Sequence, residues 1–342
     1  MTVVVNAYCT HRSPPAIEFP TVHLQSRDRS DPELIEHLDG FIGYIMQNGQ
    51  REMTKSLYAV SRHIQRVQNH FSFEIEAENI EAIVSWAVAS NAILFFPDGS
   101  VRDPFGAVLV DPDTGEPNAD AKVPYPKLAG DRRKRTIAEL EQRSLSVPKT
   151  LPPVISENEV KLRSADDVAW RTIALFGVAV RAESLGSNET ISIEELKKRL
   201  PLAFKAFTPL ETDFIESADP EPQEVIKFAW RYEALFTLQW ALGLHDLLPF
   251  PDAICDVPLV ARKVLDPKPG QLLQSATLRD TDAILDALDL NYCLLWSARD
   301  AGIRQQPPHA GLEPGVAEQR QHALNWLVRF EDADWDQVDI PS

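Results

Sequence analysis

The sequence is short of nearly everything that announces a chemistry. Its three cysteines, Cys9, Cys255 and Cys293, lie far apart, and an odd number gives no disulfide framework and no zinc pattern. Only 14 glycines accompany 26 prolines. They build no Gly-rich phosphate loop ending in Lys-Ser/Thr, no dinucleotide fingerprint and no Gly-x-Ser-x-Gly elbow. The eight histidines are scattered, and no His-Glu-x-x-His offers a metal site. Neither a metal nor a cofactor is therefore expected. No apolar run approaches the ~18 residues that cross a membrane. The opening stretch MTVVVNAYCTHRSPP lacks the basic start and long apolar run of a signal peptide. A reducing cytoplasm, without membrane contact, is the expected location. These gaps remove every motif-based argument for an enzyme, although active sites are assembled in space and need no contiguous motif.

What is present is a large core and an excess of acid. Hydrophobic residues make up 44% of 342 residues, enough for two domains. The net charge is −17 and uneven. Residues 1–150 hold 20 acidic and 16 basic side chains, a balance of −4, whereas residues 151–342 hold 31 and 18, a balance of −13. Such a surface repels phosphate backbones and anionic membranes, so no nucleic acid is expected as partner. It suits a basic protein, and it also simply keeps a protein soluble.

Strand and helix signals mix in the first third. Residues 3–9, 17–24 and 70–76 read as strands, with Pro20 making the second an edge or bulged strand. Residues 31–49, 53–68 and 77–91 read as helices, the first capped by Asp31, opened by Pro32 and stopped at Gly49. Residues 92–111 read as two strands around an Asp98-Gly99 turn. In that turn Asp98, Arg102 and Asp103 are either a polar site or a local ion pair. A polar, Pro-rich stretch then leads to a helix at 131–145, whose run RRKR (132–135) reads as solvated, and to an extended, proline-rich segment. From Ser164 the pattern is helical throughout. Ser164 with Asp167, Ser192 with Glu195, and Thr208-Pro209 with Glu211 have capping-box spacing. Helices follow near 222–243, 255–265, 280–300 and 314–330. The expectation is an α+β domain over 1–125, a linker and connecting helix over 126–160, and an all-α, bundle-like domain over 161–342.

Helical geometry flags four charges in apolar company. At about 100° per residue, Glu233 shares a stripe with Phe236, Thr237 and Trp240. Arg171 falls with Ala174, Leu175, Val178 and Ala182, Asp289 with Leu285, Tyr292, Cys293 and Trp296, and Arg320 with Ala323, Leu324 and Leu327. A single buried charge costs several kcal/mol, so it must be paired. Two cations and two anions predict salt bridges among these four, between distant helices. They are either a core network beside core aromatics or, with Trp230, Trp240, Trp296 and Trp326, the wall of a small-molecule pocket.

The same residues carry a likeness. The segments LRSADDVAWRTIALFGVAVRAE, WRYEALFTLQWALGL, LPFPDAICDV and LRDTDAILDALDLNYCLLWSARD, with the closing Asn325-Trp326 run and Trp335-Asp336, together resemble the bacterial domain-of-unknown-function family numbered four-two-seven-two. The likeness covers about residues 135–342. It implies a helical domain from a bacterium and supplies no catalytic residues. The residues that carry it or line the candidate network are Arg171, Trp230, Glu233, Trp240, Asp289, Trp296, Arg320 and Asn325.

Two kinds of function are then expected. One is a non-catalytic interaction protein whose acidic surface meets a basic partner, as an immunity or accessory factor of a toxin or secretion system does. The alternative is a hydrolase or ligand-binding enzyme in which Glu233 or Asp289 is the base and an arginine clamps an anion. A ligand sensor is a third reading. Oligomeric state is not readable from the sequence.

Overall fold

The computed structural model describes residues 1–47, 53–148, 151–187, 190–267 and 270–340, with the side chains of 42–47 left out. An antiparallel sheet region within residues 2–110 is followed by a mostly helical region. The chain divides into two compact units, Met1–Gly130 with Ile155–Val160, and Asp131–Val154 with Lys161–Ser342.

The first unit is a six-stranded antiparallel sheet: β1 (Thr2–Cys9), β2 (Val22–Asp28), β3 (Asn69–Glu76), β4 (Ala92–Phe95), β5 (Val101–Arg102) and β6 (Val108–Val110), in the order β2-β3-β1-β4-β5-β6. Alternation along β1 and β3 decides what each face carries. Val5, Ala7, Cys9, Phe73 and Ile75 turn to one side, against Ile83 and Trp86 of α3 (Ile83–Ala89). Tyr8, Ile93, Val101 and Leu109 turn to the other, against Leu34 and Leu38 of α1 (Pro32–Gln47) and Val60 and Ile64 of α2 (Lys55–Arg66). The expected strand at 17–24 forms five residues later because Pro20 cannot enter a ladder, and β2 still bulges at His23, whose φ is +53°. The expected stop of α1 at Gly49 lies outside the described residues. Asp98 and Gly99 do turn the chain, with Gly99 at φ +81°, and Asp98 holds Arg102 at 2.8 Å. Asp103 is buried and accepts the amides of Phe105 and Ala107, so this loop is a local turn.

The second unit contains most of α4 (Lys127–Gln142), then α5 (Ala165–Gly186), α6 (Ile193–Arg199), α7 (Pro209–Glu216), α8 (Pro222–Ala229), α9 (Arg231–Ala241), α10 (Val257–Leu265), α11 (Gln271–Ser275), α12 (Thr281–Ile303) and α13 (Pro314–Leu327). Reciprocal capping boxes open α5 at Ser164/Asp167 and α7 at Thr208/Glu211, and Ser192 caps α6. The single helix expected over 222–243 is two, broken at Trp230. Helix α5 packs on α8 and α9, α9 on α13, and α13 on α12. Gly177 lets α5 approach its neighbour: an added Cβ there would sit 2.8 Å from the Cβ of Ala203. Every residue of α9 is buried. Glu233 is thus on a helix with no solvent face at all, not on the apolar stripe of an amphipathic one.

Candidate functional site

The four flagged charges are all inside the helical unit: Arg171 is 6% exposed, Glu233 2%, Asp289 0% and Arg320 2%. Only one pair forms among them. Arg320 Nε lies 3.9 Å from Glu233 Oε2, a charge contact beyond hydrogen-bond range. Both partners use their hydrogen bonds on the backbone between α9 and α10. Glu233 Oε1 accepts the amide of Cys255, and Arg320 Nη1 donates to the carbonyl of Pro249. The pair therefore staples that connection to α9 and α13. Burial lowers the Arg320 pKa, with Glu233 opposing, and burial beside Glu233 pushes the Cys255 thiol up, so that thiol is a poor nucleophile.

The other two charges have partners that helical periodicity did not single out. Arg171 donates to Glu211, which also accepts the amide of Thr208 in its capping box. Asp289 takes Arg133, through Nη2 at 2.6 Å and Nε at 3.0 Å, a two-pronged grip. Arg133 is 6% exposed and its neighbour Arg132 1%, so the first half of the RRKR run is buried, while Lys134 and Arg135 stay exposed as its composition suggests. Arg132 and Arg135 reach Asp286, one turn before Asp289, at 2.7 and 2.8 Å. Three arginines of α4 thus dock on an acidic row of α12. A charge run is assigned to solvent by its own composition, and only the facing helix reveals where it goes.

The remaining residues of the expected site are tied to different neighbours. Trp230 lies against Gly315, where an added Cβ would sit 2.8 Å from its ring. Trp240 lies under the guanidinium of Arg279, 5.1 Å from its centroid, and Trp296 packs with the cluster of Leu140, Leu145, Cys293 and Leu294. Asn325 closes a chain of amides: Asn291 donates to Gln321 at 2.9 Å, Gln321 to Asn325 at 2.8 Å, and Asn325 to the carbonyl of Asp339 at 2.9 Å. Arg171 and a further arginine, Arg231, stand over Trp335 at 5.2 and 5.6 Å, beside His322. Burial first, then Arg231, holds His322 down to about 3. Each of these groups binds the unit to itself.

A cavity of about 280 Å³ lies elsewhere, in the sheet unit. Its floor is two ladder rows, Gln25–Ser72–Asn6 and Arg27–His70–Tyr8, running across β2, β3 and β1. Leu34 and His37 of α1 complete it. The Tyr8 hydroxyl and His37 Nε2 are 2.7 Å apart, and His70 Nε2 is 3.1 Å from Asn6 Oδ1. Burial lifts the Tyr8 hydroxyl to about 12, and burial with the positive influence of His37 and Arg27 lowers His70 to about 4. Both are therefore neutral near pH 7. No sequence motif marks these residues, since register brings together positions up to 66 apart along the chain.

Among the described residues, no group of three or more His, Cys, Asp or Glu could hold a metal ion, and no helix is long and apolar enough to cross a membrane. Residues 132–338 match the family described as Domain of unknown function (DUF4272), and no family match covers the N-terminal part. No curated protein and no solved structure matches the chain.

Proposed function

The chain belongs to the DUF4272 family, and from that premise we propose that it is a non-catalytic interaction module whose helical unit offers an acidic face to a basic protein. The reading places it in a bacterial cytoplasm, with neither nucleic acid nor membrane as partner. It takes the two units as an α+β domain and a helical bundle. One observation carries it. The interior charges of the helical unit are consumed by partners within that unit, so its outer acid is the chemistry it has to offer. Glu233 and Asp289, the bases of the hydrolase alternative, are sealed from solvent and bound by backbone amide or arginine, and a base must reach its proton.

A dense run of outer acid is on the α7–α8 hairpin. Stacking of Phe214 on Phe228, at 4.2 Å, pins the two helices together. Asp213, Glu216, Asp219, Glu221 and Glu224 are all exposed there, beside exposed Leu210 and Ile226. A rim of like charge steers a basic partner and weakens with salt, while the apolar groups supply contact area.

The test is affinity capture from the source cell with the full chain, and with a variant carrying Asp213→Asn, Glu216→Gln and Asp219→Asn. A basic protein retained by the wild type, released by about 0.5 M salt and lost from the variant is the expected result. Retention of the same proteins by both, or of none by the wild type, overturns the reading.

A further inference from the structure

We propose that the cavity between the β2–β3–β1 face and α1 is a binding site for a small organic anion, a carboxylate or phosphate ester with a flat body. The site belongs to the sheet unit, outside the family match, and is independent of the acidic hairpin.

Charge selects the class of ligand. The protein has 51 acidic side chains, yet none of the described residues lining this cavity is acidic. What lines it instead is one guanidinium, two imidazoles, a phenol, two carboxamides and a hydroxyl, which present mainly hydrogen-bond donors. Arg27 supplies the permanent positive charge, and a guanidinium suits planar carboxylates and phosphates alike. Gln25, Ser72 and Asn6, in the adjoining row, can donate to the remaining oxygens.

Shape selects the body. The Tyr8 and His70 rings lie 4.7 Å apart at 36°, and His37 lies within 6.1 Å of both, so three rings wall the space beside the side chain of Leu34. Flat faces favour a flat guest. The volume, about 280 Å³, is just below the range of drug-sized sites and fits a small metabolite.

Two carboxylates compete for the cation. Glu33 Oε2 is 3.2 Å from Arg27 and Asp31 Oδ2 is 3.8 Å away. Glu33 is 76% exposed and easily displaced. Asp31 also caps α1 by accepting the amide of Glu33 at 2.9 Å. Removing the Glu33 charge should therefore free the site while leaving the Asp31 cap in place.

The experiment follows the His37 and His70 side-chain resonances of the full chain by NMR at pH 7. The probes are benzoate and phenyl phosphate, with acetate and inorganic phosphate as heads without a body. Saturable shifts at both histidines are expected with benzoate or phenyl phosphate at a Kd on the order of 1 mM, and with the bare heads about tenfold weaker. Whichever aromatic probe saturates first identifies the head group. Arg27→Gln should weaken binding about tenfold, the loss of one charge-assisted contact. Glu33→Gln should tighten it. No saturable shift with any probe up to roughly 50 mM, beyond any affinity a built site of this size would show, overturns the proposal. So do shifts that Arg27→Gln leaves unchanged while the variant melts like the wild type.

Discussion

Glu211, Glu233 and Asp289 in the helical unit are at most 2% exposed, and an arginine stands beside each. On the sheet face the polar rows of Gln25–Ser72–Asn6 and Arg27–His70–Tyr8 run beside open space, and both residues from β2 are exposed. The contrast separates two uses of polarity. A charge sealed in a core cannot exchange its partner for a ligand, so its worth lies in which helices and loops it holds in register. A polar group beside a cavity keeps that exchange available.

The largest expected effect tests the sealed half. Arg133→Met should cost about 3–5 kcal/mol, because Asp289 is left with little but the amide of Val154 at 3.4 Å. Arg320→Met should cost less, about 2 kcal/mol, since Glu233 keeps the amide of Cys255. Urea melts measure both. Equal costs would mean that the two-pronged grip and the looser 3.9 Å contact do the same work, and the account of the pairs by geometry would fail.

How much of this was legible in the sequence depends on how far apart the cooperating residues are. Ser164/Asp167 and Thr208/Glu211 act within one turn and were readable from spacing alone. Glu233 and Arg320 betrayed themselves by apolar neighbours, again a local signal. The partners of the other two flagged charges, Asp289 and Arg171, did not. Arg133 was hidden in a basic run that looks solvated, and Glu211 in a cap motif that already explained it. The break at Trp230 was missed because both flanking helices are apolar enough to read as one. The cavity was least legible of all: Tyr8 and His70 are paired only through sheet register, and no local pattern specifies that β1 and β3 are neighbours.

Acid should erode both units alike, which limits the contrast. His63 of the sheet unit and His322 of the helical unit are buried, and each is held down to about 3, first by burial and then by Arg66 and Arg231 respectively. Their folded values lie below the ordinary 6.5, so the unfolded chain takes up protons first. Stability is complete above pH 6.5 and is lost as pH falls toward 3, by up to about 1.4 kcal/mol per pH unit for each histidine. Melts at pH 7, 6 and 5 should show this slope, and His63→Gln and His322→Gln should each flatten it. A flattening from only one of them would place the acid weakness in one unit.

The smallest expected effect falls on the open half and completes the comparison. Arg27→Gln removes an arginine, as the core substitutions do, and two ion pairs where each of those breaks one, but from side chains that are 40% exposed for Arg27 and 35% and 76% exposed for Asp31 and Glu33. Water replaces what is lost, so the melting free energy should change by no more than about 0.5 kcal/mol. The same kind of substitution, arginine to a neutral side chain, would then differ several-fold in cost between the two units, with solvent as the only cause. A loss near 2 kcal/mol would instead mean that Arg27 is a strut holding β2 to α1. The cavity beside it would then be a gap in packing, and the sheet face would use its polarity in the same way as the helical interior.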